Sequence, residues 1–496
     1  MSTASIADQW SHRRLDVICL YILEDMELKQ LIREVKIERD GRELTLDDWK
    51  KILLPSWGIF KNNCATEASF ILAEKRRIGR EEPWDCLVLA GGVLLSIHDV
   101  KSCSKRTKRA APHTTRPPRR LLTFVPMPFN IASLEEIGIF RDFRRLLWFT
   151  GVHFDSCFDT GTWSKDENGL YGRSDELRSG LTKLSKLHNM LCDAFKHFKR
   201  GSVSTGFALT RSAFLLNELI VQIYHHRQFP DILALILLAQ RQGHAEIGMS
   251  LCNNLCKLAE KLLPSNDPRG HIFQILTTLK LDLAGDLYVA FDTYCRHLWM
   301  SRAGTNEIKA HYSYNQASFP RADTGRFYDL YARKTLDELD RVLEQVNEAF
   351  DEYNTARFVM WHTAIRYLLK EARHADAEKF SQTLCSRLCK PGIMKHCSQQ
   401  PQMNVNVSLS FYLFGVTQFA QLKYQDSMEN FQMCINTRRV LVQGYNWDPT
   451  LGAALEKLGL AAERMGHPEL AKKSSQHLQG MYSALVEKDR MEQALK

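Results

Sequence analysis

The feature that most limits the fold is the helical spacing of apolar residues, which runs from about residue 136 to residue 496 with little strand-like alternation. Apolar residues recur three and four positions apart in segment after segment, which is the period of an amphipathic α-helix. A chain of 496 residues is too long for one ordinary core, so two or three domains are expected. We predict a mainly α protein in which residues 136–496 form an α-solenoid.

Two late segments, within residues 405–485, resemble tetratricopeptide repeats. Gly415 and Ser427 in the first segment, and Gly459 and Ala471 in the second, stand at near-motif positions. The two segments are 44 positions apart, which is longer than the ~34 residues of this repeat. The stretch "YLLKEARHADAEKFSQTL" resembles a decayed earlier copy. Such helical hairpins must stack on neighbours to bury their faces, so the resemblance implies irregular repeats that bind protein partners.

Residues 8–61 carry the periodicity of three short helices. Asp8 is a candidate cap of the first helix, and Gly41 interrupts the pattern after the second. Thr45 can cap the third helix, which should end near Pro55 because proline disfavours helix just before it. Three helices of this size favour a small helix-turn-helix-like module. The side chains expected to pack its core are Trp10, Tyr21, Trp49 and Trp57.

This region also resembles the Clr-five domain of the fungal cryptic-loci-regulator family. The resemblance rests on "WSHRR", "LYILE", the "WKK" of helix three and "WGIFKN", followed by "EASFILAEKRRIG" and the run up to residue 103. A later stretch, "FDTGTW" at 158–163, resembles a short motif that recurs in the middle of such chains. The resemblance implies a DNA-binding-like module over residues 1–103 of a nuclear, chromatin-associated or transcription-related protein.

The sequence departs from the family pattern at one place. Eight positions separate Trp49 from Trp57, one more than is usual, and Pro55 lies between them. Asp47 and Asp48 precede the lysines of helix three, where carboxylates would repel phosphate. The same two acids also suit a helix N-terminus electrostatically.

Basic charge is concentrated between the module and the helical region. The formal net charge is +9, and the window 101–120 holds eight Lys or Arg residues with no Asp or Glu. Its prolines predict that residues 104–135 form a linker without regular structure. The spacing predicts a two-part nuclear import signal for an import receptor, made of Lys105, Arg106, Lys108, Arg109, Arg119 and Arg120. The alternative is a solvated linker.

Chemistry-bearing motifs are scarce. The sequence contains no GxGxxG, GxxxxGK[ST] or GxSxG pattern. Two cysteine pairs with helical spacing, Cys252 with Cys256 and Cys385 with Cys389, could meet a metal with His396 and Cys397, but such cysteines usually fill a core. His225 and His226 are expected at a polar edge. We expect no enzyme activity, no metal or cofactor, and no membrane span, because the longest apolar run is far shorter than ~20 residues.

Two functions remain open at this point. The first is a nuclear DNA- or chromatin-associated regulator, in which the module contacts DNA and the helical repeats recruit proteins. Its predicted DNA contacts are Arg13, Arg14, Lys50, Lys51 and Lys61. The alternative is a non-enzymatic protein-interaction scaffold whose module no longer binds DNA. The nucleus is the expected location, with the cytoplasm as a further one.

Overall fold

The computed structural model describes residues 10–39, 42–57, 59–61, 65–81, 85–107, 121–127, 137–165, 175–279, 284–303, 306–315, 331, 334–352, 354–389, 401–439 and 448–494. The chain divides into two compact units. Unit 1 contains Met1–Thr160 and Ala259–Leu298, and unit 2 contains Gly161–Leu258 and Trp299–Lys496. The described chain is mainly helical, as predicted.

The N-terminal module of unit 1 contains three short helical segments, as the periodicity predicts. The first covers residues 11–23 and includes a π-helical turn, the second is Leu28–Val35, and the third covers residues 46–56. Between the second and third lies a hairpin of β1, Glu38–Arg39, and β2, Arg42–Glu43. Asp8 and Gly41 lie outside the described residues.

Thr45 caps the third helix, which confirms that prediction. Its hydroxyl accepts a hydrogen bond from the Asp48 N–H at 3.2 Å, and the Asp48 carboxylate accepts one from the Thr45 N–H at 3.0 Å. This reciprocal arrangement is a capping box, which satisfies two backbone donors at the helix start. The helix ends at Ser56, one residue beyond Pro55.

The predicted aromatic core of the module is confirmed for two of its four members. Trp49 and Trp57 are buried, whereas Trp10 and Tyr21 are half-buried. Trp10 donates its indole N–H to the Glu38 carbonyl oxygen at 3.1 Å, which holds it at the edge of the hairpin. The Tyr21 ring lies under the Lys61 ammonium at 4.9 Å and packs at the module surface.

A small antiparallel sheet follows the module and corrects the linker prediction. Helices Ala65–Glu81 and Ile97–Thr107 pack on strands β3, Asp85–Ala90, β4, Val93–Leu94, and β5, Leu122–Met127, in the order β4-β3-β5. The prediction of an irregular linker over 104–135 is therefore wrong at residues 104–107 and 122–127. Pro126 is tolerated because β5 is an edge strand, the position to which proline within sheets is confined.

The predicted boundary at residue 136 does not separate the two units. Helices Ile137–Asp159 and Pro268–Thr278 belong to unit 1, together with most of Ala284–Ala303. Gly92, in the turn of the small sheet, has a φ of +82° and approaches the Trp148 ring so closely that a Cβ would lie 3.2 Å from it. The first long helix is thus packed on the sheet, which places it with the N-terminal residues.

Unit 2 consists of helices and contains most of the predicted repeat region. Its helices within the described ranges are Asp175–Lys199, Val203–Phe214, Asn217–Gln222, Gln228–Arg241, Ala245–Leu262 up to residue 258, the end of Ala284–Ala303, Glu307–Asn315, Leu336–Ala349, Thr355–Lys370, His374–Leu388, Pro401–Ala420, Tyr424–Arg439, Pro449–Arg464 and Pro468–Ala494.

Five helical hairpins of unit 2 share one turn. The turn residue has a left-handed backbone in each, with φ between 55° and 78°, and these residues are Gly201, Gly243, Ala372, Leu422 and Gly466. The N–H that follows donates to the carbonyl oxygen five residues earlier, as in His467 to Ala462 at 2.8 Å and Lys423 to Gln418 at 3.0 Å. This is the Schellman motif, which satisfies the last carbonyls of the first helix. The sequence indicated three of these hairpins, and those at Gly201 and Gly243 were missed.

Five residues after each left-handed turn residue, the second helix carries a small, buried residue. The five are Gly206, Gly248, Ala377, Ser427 and Ala471. At Gly206 a Cβ would lie 2.5 Å from the Phe198 ring, and at Gly248 it would lie 3.3 Å from the Ala239 Cβ. The small side chain therefore lets the second helix approach the first, because any larger group would overlap the facing helix.

The hairpins stack in chain order from 355–388 through 401–439 to 449–494. Hairpin 175–214 then packs against hairpin 449–494, where the His197 and Tyr482 rings meet edge to face at 4.3 Å. Arg200 also forms an ion pair with Glu456. An open solenoid would leave the face of hairpin 449–494 uncovered, whereas here a hairpin from earlier in the chain covers it.

The shared turn gives a test of local stability. Leu422 is 70% exposed in a left-handed conformation that disfavours side chains, so Leu422→Gly should raise the free energy of unfolding by about 1 kcal/mol. Gly466→Ala should lower it by a similar amount. Met465→Gly is the matched control, because Met465 has a right-handed φ of −92° and glycine there should destabilise. Urea unfolding followed by circular dichroism measures all three, and a loss of stability in Leu422→Gly would contradict the turn geometry.

Candidate interaction sites

The predicted DNA contacts on the first helix are bound to the module itself. Arg13 donates to the Asp16 carboxylate at 3.0 Å and to the Val35 carbonyl oxygen at 3.2 Å. Arg14 directs two guanidinium nitrogens at the Trp57 carbonyl oxygen, each at 3.4 Å. Both side chains therefore join the first helix to other parts of the module.

Two of the three predicted lysine contacts form ion pairs within the module, and the third does not. Lys51 pairs with Asp47 at 2.8 Å, and this hydrogen bond raises the pKa of the ammonium group. Lys61 pairs with Asp25 at 2.8 Å and also donates to the carbonyl oxygens of residues 25 and 26, each at 3.0 Å. Lys50 is exposed and has no partner within the described part of the chain.

The two acids of helix three have local roles. Asp48 completes the capping box with Thr45, and Asp47 holds Lys51 one turn along the helix. Carboxylates in a first helical turn also interact favourably with the helix dipole. The helix thus needs these acids for its own start, and they leave Lys50 as the one open cation among its described residues.

The "FDTGTW" motif ends in a buried anchor. Trp163 is 1% exposed, and its indole N–H donates to the Tyr224 carbonyl oxygen at 2.5 Å. Its ring meets Trp299 at 5.4 Å and His226 at 6.1 Å, both edge to face. His226 stacks on Trp299 at 4.0 Å. We name this group, with His225, Arg227, Asp231 and Tyr314, the aromatic–histidine cluster.

The prediction that His225 and His226 form a polar edge is wrong. Both imidazoles are buried. His225 Nδ1 accepts a hydrogen bond from the Arg227 N–H at 3.1 Å, and His226 donates to the Tyr314 carbonyl oxygen at 3.0 Å. Burial lowers the pKa of His225 to about 3 and the pKa of His226 well below its usual value, so both are neutral near pH 7.

The charges of the cluster are paired. Arg227 and Asp231 form an ion pair at 3.1 Å with both side chains almost fully buried. The Arg227 guanidinium also lies over the Tyr314 ring at 4.7 Å. A buried ion pair adds little net stability, because the cost of desolvating both charges offsets much of their attraction. The cluster therefore organises the interior of unit 2.

Two Cys–His pairs with the spacing H-x3-C were not predicted from the sequence. Cys157 Sγ lies 3.6 Å from His153 Nδ1, and Cys192 Sγ lies 3.6 Å from His188 Nδ1. Burial raises the pKa of each thiol to about 12 and lowers the pKa of His153 to about 3. A thiolate nucleophile needs the opposite shifts, so these pairs have the electrostatics of core residues.

The cysteines and the histidine considered for metal binding differ in burial, and two of them lie outside the described residues. Cys252 and Cys385 are buried, as the helical spacing predicts, and Cys389 is exposed. His396 and Cys397 lie outside the described residues. Across the described ranges, no group of three or more His, Cys, Asp or Glu side chains is arranged to hold a metal ion. No disulfide joins any of the described cysteines.

Unit 2 also presents an apolar surface. Val203 and Phe207 lie on helix Val203–Phe214, Leu215 lies in the turn after it, and Leu219 lies on helix Asn217–Gln222; their exposed fractions are 52%, 48%, 54% and 42%. Four-residue spacing places Val203 and Phe207 on one side of the first of these helices. We name this set the apolar stripe. An exposed run of large apolar side chains is typical of a surface that contacts another macromolecule.

The import signal is described only at its first two residues. Lys105 and Arg106 belong to helix Ile97–Thr107. Lys108, Arg109, Arg119 and Arg120 lie outside the described residues, so the signal stays a prediction. Every helix in the described ranges is too short or too polar to cross a bilayer.

Comparison with known proteins assigns no relative. No protein-family model matches the chain, and no curated protein shows significant similarity to it. The resemblance to the Clr-five family, and the function that it implies, stay predictions.

Proposed function

We propose that this protein is a non-enzymatic interaction scaffold whose helical hairpins bind other proteins and whose N-terminal module does not bind DNA. The observation that supports this most directly is the state of the predicted DNA contacts. Four of the five, Arg13, Arg14, Lys51 and Lys61, are engaged with carboxylates or carbonyl oxygens of the module itself. A phosphate would have to compete with those partners for the same cations.

The apolar stripe is the surface that we assign to a protein partner. Stacked hairpins hold such a surface on rigid helices, which lowers the entropy that binding would cost. A partner helix with its own apolar face is the ligand that suits a stripe of this spacing. Irregular tetratricopeptide-like repeats, as the sequence resemblance implies, are consistent with this role.

A nuclear DNA- or chromatin-associated regulator is the second candidate. It is favoured by Lys50, which is exposed beside Lys51, and by the eight basic residues of the window 101–120. That window would also carry the protein to the nucleus through an import receptor. In this candidate the helical repeats recruit proteins to the bound site.

Salt dependence of DNA binding by the full chain distinguishes the two candidates. Each phosphate contact contributes about 0.9 to the slope of log K against log salt. The scaffold proposal predicts that Lys50→Ala with Lys51→Ala leaves the slope unchanged within experimental error. Neutralising the basic residues of 101–120 should remove nearly all binding, because nonspecific contact then has no source.

The control is Asp47→Asn, which releases Lys51 while leaving the capping box intact. Under the scaffold proposal it also leaves DNA affinity unchanged. A slope that falls by about two in the double-lysine variant, together with tighter binding of Asp47→Asn at low salt, would establish the regulator instead.

A further inference from the structure

A small cavity in unit 1 is lined by Trp57, Ile59, Phe60 and Lys61 of the stretch "WGIFK", which follows helix three of the predicted DNA-binding-like module. Its volume is about 180 Å³. Its apolar walls come from the first helix, the motif and the small sheet, and include Ile18, Ile22, Trp57, Ile59 and Val93. These five side chains are buried, so the walls of the cavity belong to the folded core.

Cationic side chains border the same cavity. They are Arg14, Lys61 and Arg144, and no residue in its described lining is acidic. Arg14 is positioned by the Trp57 carbonyl oxygen, and Lys61 is positioned by Asp25 and the Tyr21 ring. Arg14 and Lys61 are exposed at the border, so an anion in the cavity would share Arg14 with the Trp57 carbonyl oxygen and Lys61 with Asp25.

The other described cavities lack this combination. A cavity of about 640 Å³ in unit 2 carries both signs of charge, with Glu429 and Glu469 opposite Lys473. A polar cavity of about 270 Å³ places Lys309 and Arg357 among Glu348, Asp351 and Glu352. Neither selects for an anion. A cavity whose described lining carries charge of one sign favours a ligand of the opposite charge, because unlike charges attract.

We propose that the "WGIFK" cavity binds a small anionic amphiphile, in which a short apolar chain or a single ring carries one carboxylate. The apolar part lies against Ile18, Ile59 and Val93, and the carboxylate lies toward Arg14 and Lys61. Guanidinium groups match carboxylates in charge and geometry. The cavity is smaller than the ~300–1,000 Å³ of typical ligand pockets, which limits the ligand to a short chain or one ring.

Isothermal titration calorimetry of the full chain with three eight-carbon probes tests this assignment. Octanoate, octanol and octylammonium share one chain and differ only in charge. Octanoate should bind at least about tenfold more tightly than octylammonium, because a hydrogen bond to a charged group is worth about one order of magnitude in affinity or more. Octanol should lie between them. Equal affinity for octanoate and octylammonium would overturn the proposal.

Two variants locate the binding. Arg14→Gln should weaken octanoate binding about tenfold and leave octanol binding unchanged. Arg33→Gln is the matched control, since it removes one exposed arginine of the same module that does not line the cavity. Val93→Phe should fill the space and weaken both probes. If Val93→Phe does not fold, Arg14→Gln decides alone, and wild-type octanoate affinity in that variant would show that the cavity is not the site.

Discussion

Replacing Trp163 with alanine should lower the free energy of unfolding of unit 2 by about 3–5 kcal/mol, the usual cost of deleting a buried aromatic side chain. The expected effect is large because the ring is 1% exposed and contacts both Trp299 and His226. The Tyr224 carbonyl oxygen also loses its indole donor. Native-state hydrogen exchange of peptides 228–241 and 299–303 should show faster exchange.

Trp163→Phe separates the two contributions. It keeps an aromatic ring and removes the N–H donor, so the expected loss is smaller, about 1–3 kcal/mol. Trp10→Ala is the control in the other unit, because Trp10 is half-buried in the N-terminal module. In the Trp10→Ala variant, the peptides of unit 2 should exchange hydrogen at the wild-type rate. Unchanged exchange in Trp163→Ala would mean that the "FDTGTW" motif does not anchor the cluster.

Acidification should destabilise unit 2 between about pH 6.5 and pH 3. Burial lowers the pKa of His225 and of His362 to about 3, whereas an unfolded histidine titrates near 6.5. In that window the unfolded state binds more protons, so stability is fully present above pH 6.5 and is lost as the pH falls toward 3. Each histidine contributes roughly 1.4 kcal/mol per pH unit across the window.

The surroundings of these histidines reinforce the effect. A protonated His225 would also be repelled by the Arg227 guanidinium, which Asp231 only partly compensates. The urea midpoint measured from pH 7 to pH 4 should therefore fall steeply. His225→Gln or His362→Gln should make the fall shallower, and His98→Gln should not, because His98 is 83% exposed. A midpoint that is independent of pH would contradict neutral, buried imidazoles.

Local signals predicted the parts of the fold that local chemistry decides. Thr45 and Asp48 are three residues apart, and a capping box needs nothing else. Gly415 marks a hairpin because a Cβ there would lie 2.7 Å from the Phe431 ring, so glycine allows the two helices to approach. The strand Leu122–Met127 was missed because Pro126 is locally unfavourable, and only pairing with β3 makes it a strand.

The candidate sites depend on contacts between distant residues, which a single sequence does not show. His225 and His226 look like a polar helix end until Trp163, Trp299 and Tyr314 surround His226, on which His225 stacks. In the same way, Arg14 and Lys61 carry the charge expected of a DNA contact. Their partners, Trp57 and Asp25, are 43 and 36 positions away, and these contacts hold the two cations against the module.

The contact between hairpins 175–214 and 449–494 has a consequence for synthesis. Arg200 and its partner Glu456 are 256 positions apart. At about 5–20 residues per second, a ribosome takes roughly 10–50 s to make the intervening chain. During that time the side of the early hairpin that hairpin 449–494 covers is open to chaperones and to other nascent chains. A premature stop before residue 449 would make that exposure permanent, so it would damage a hairpin encoded far upstream of the lesion.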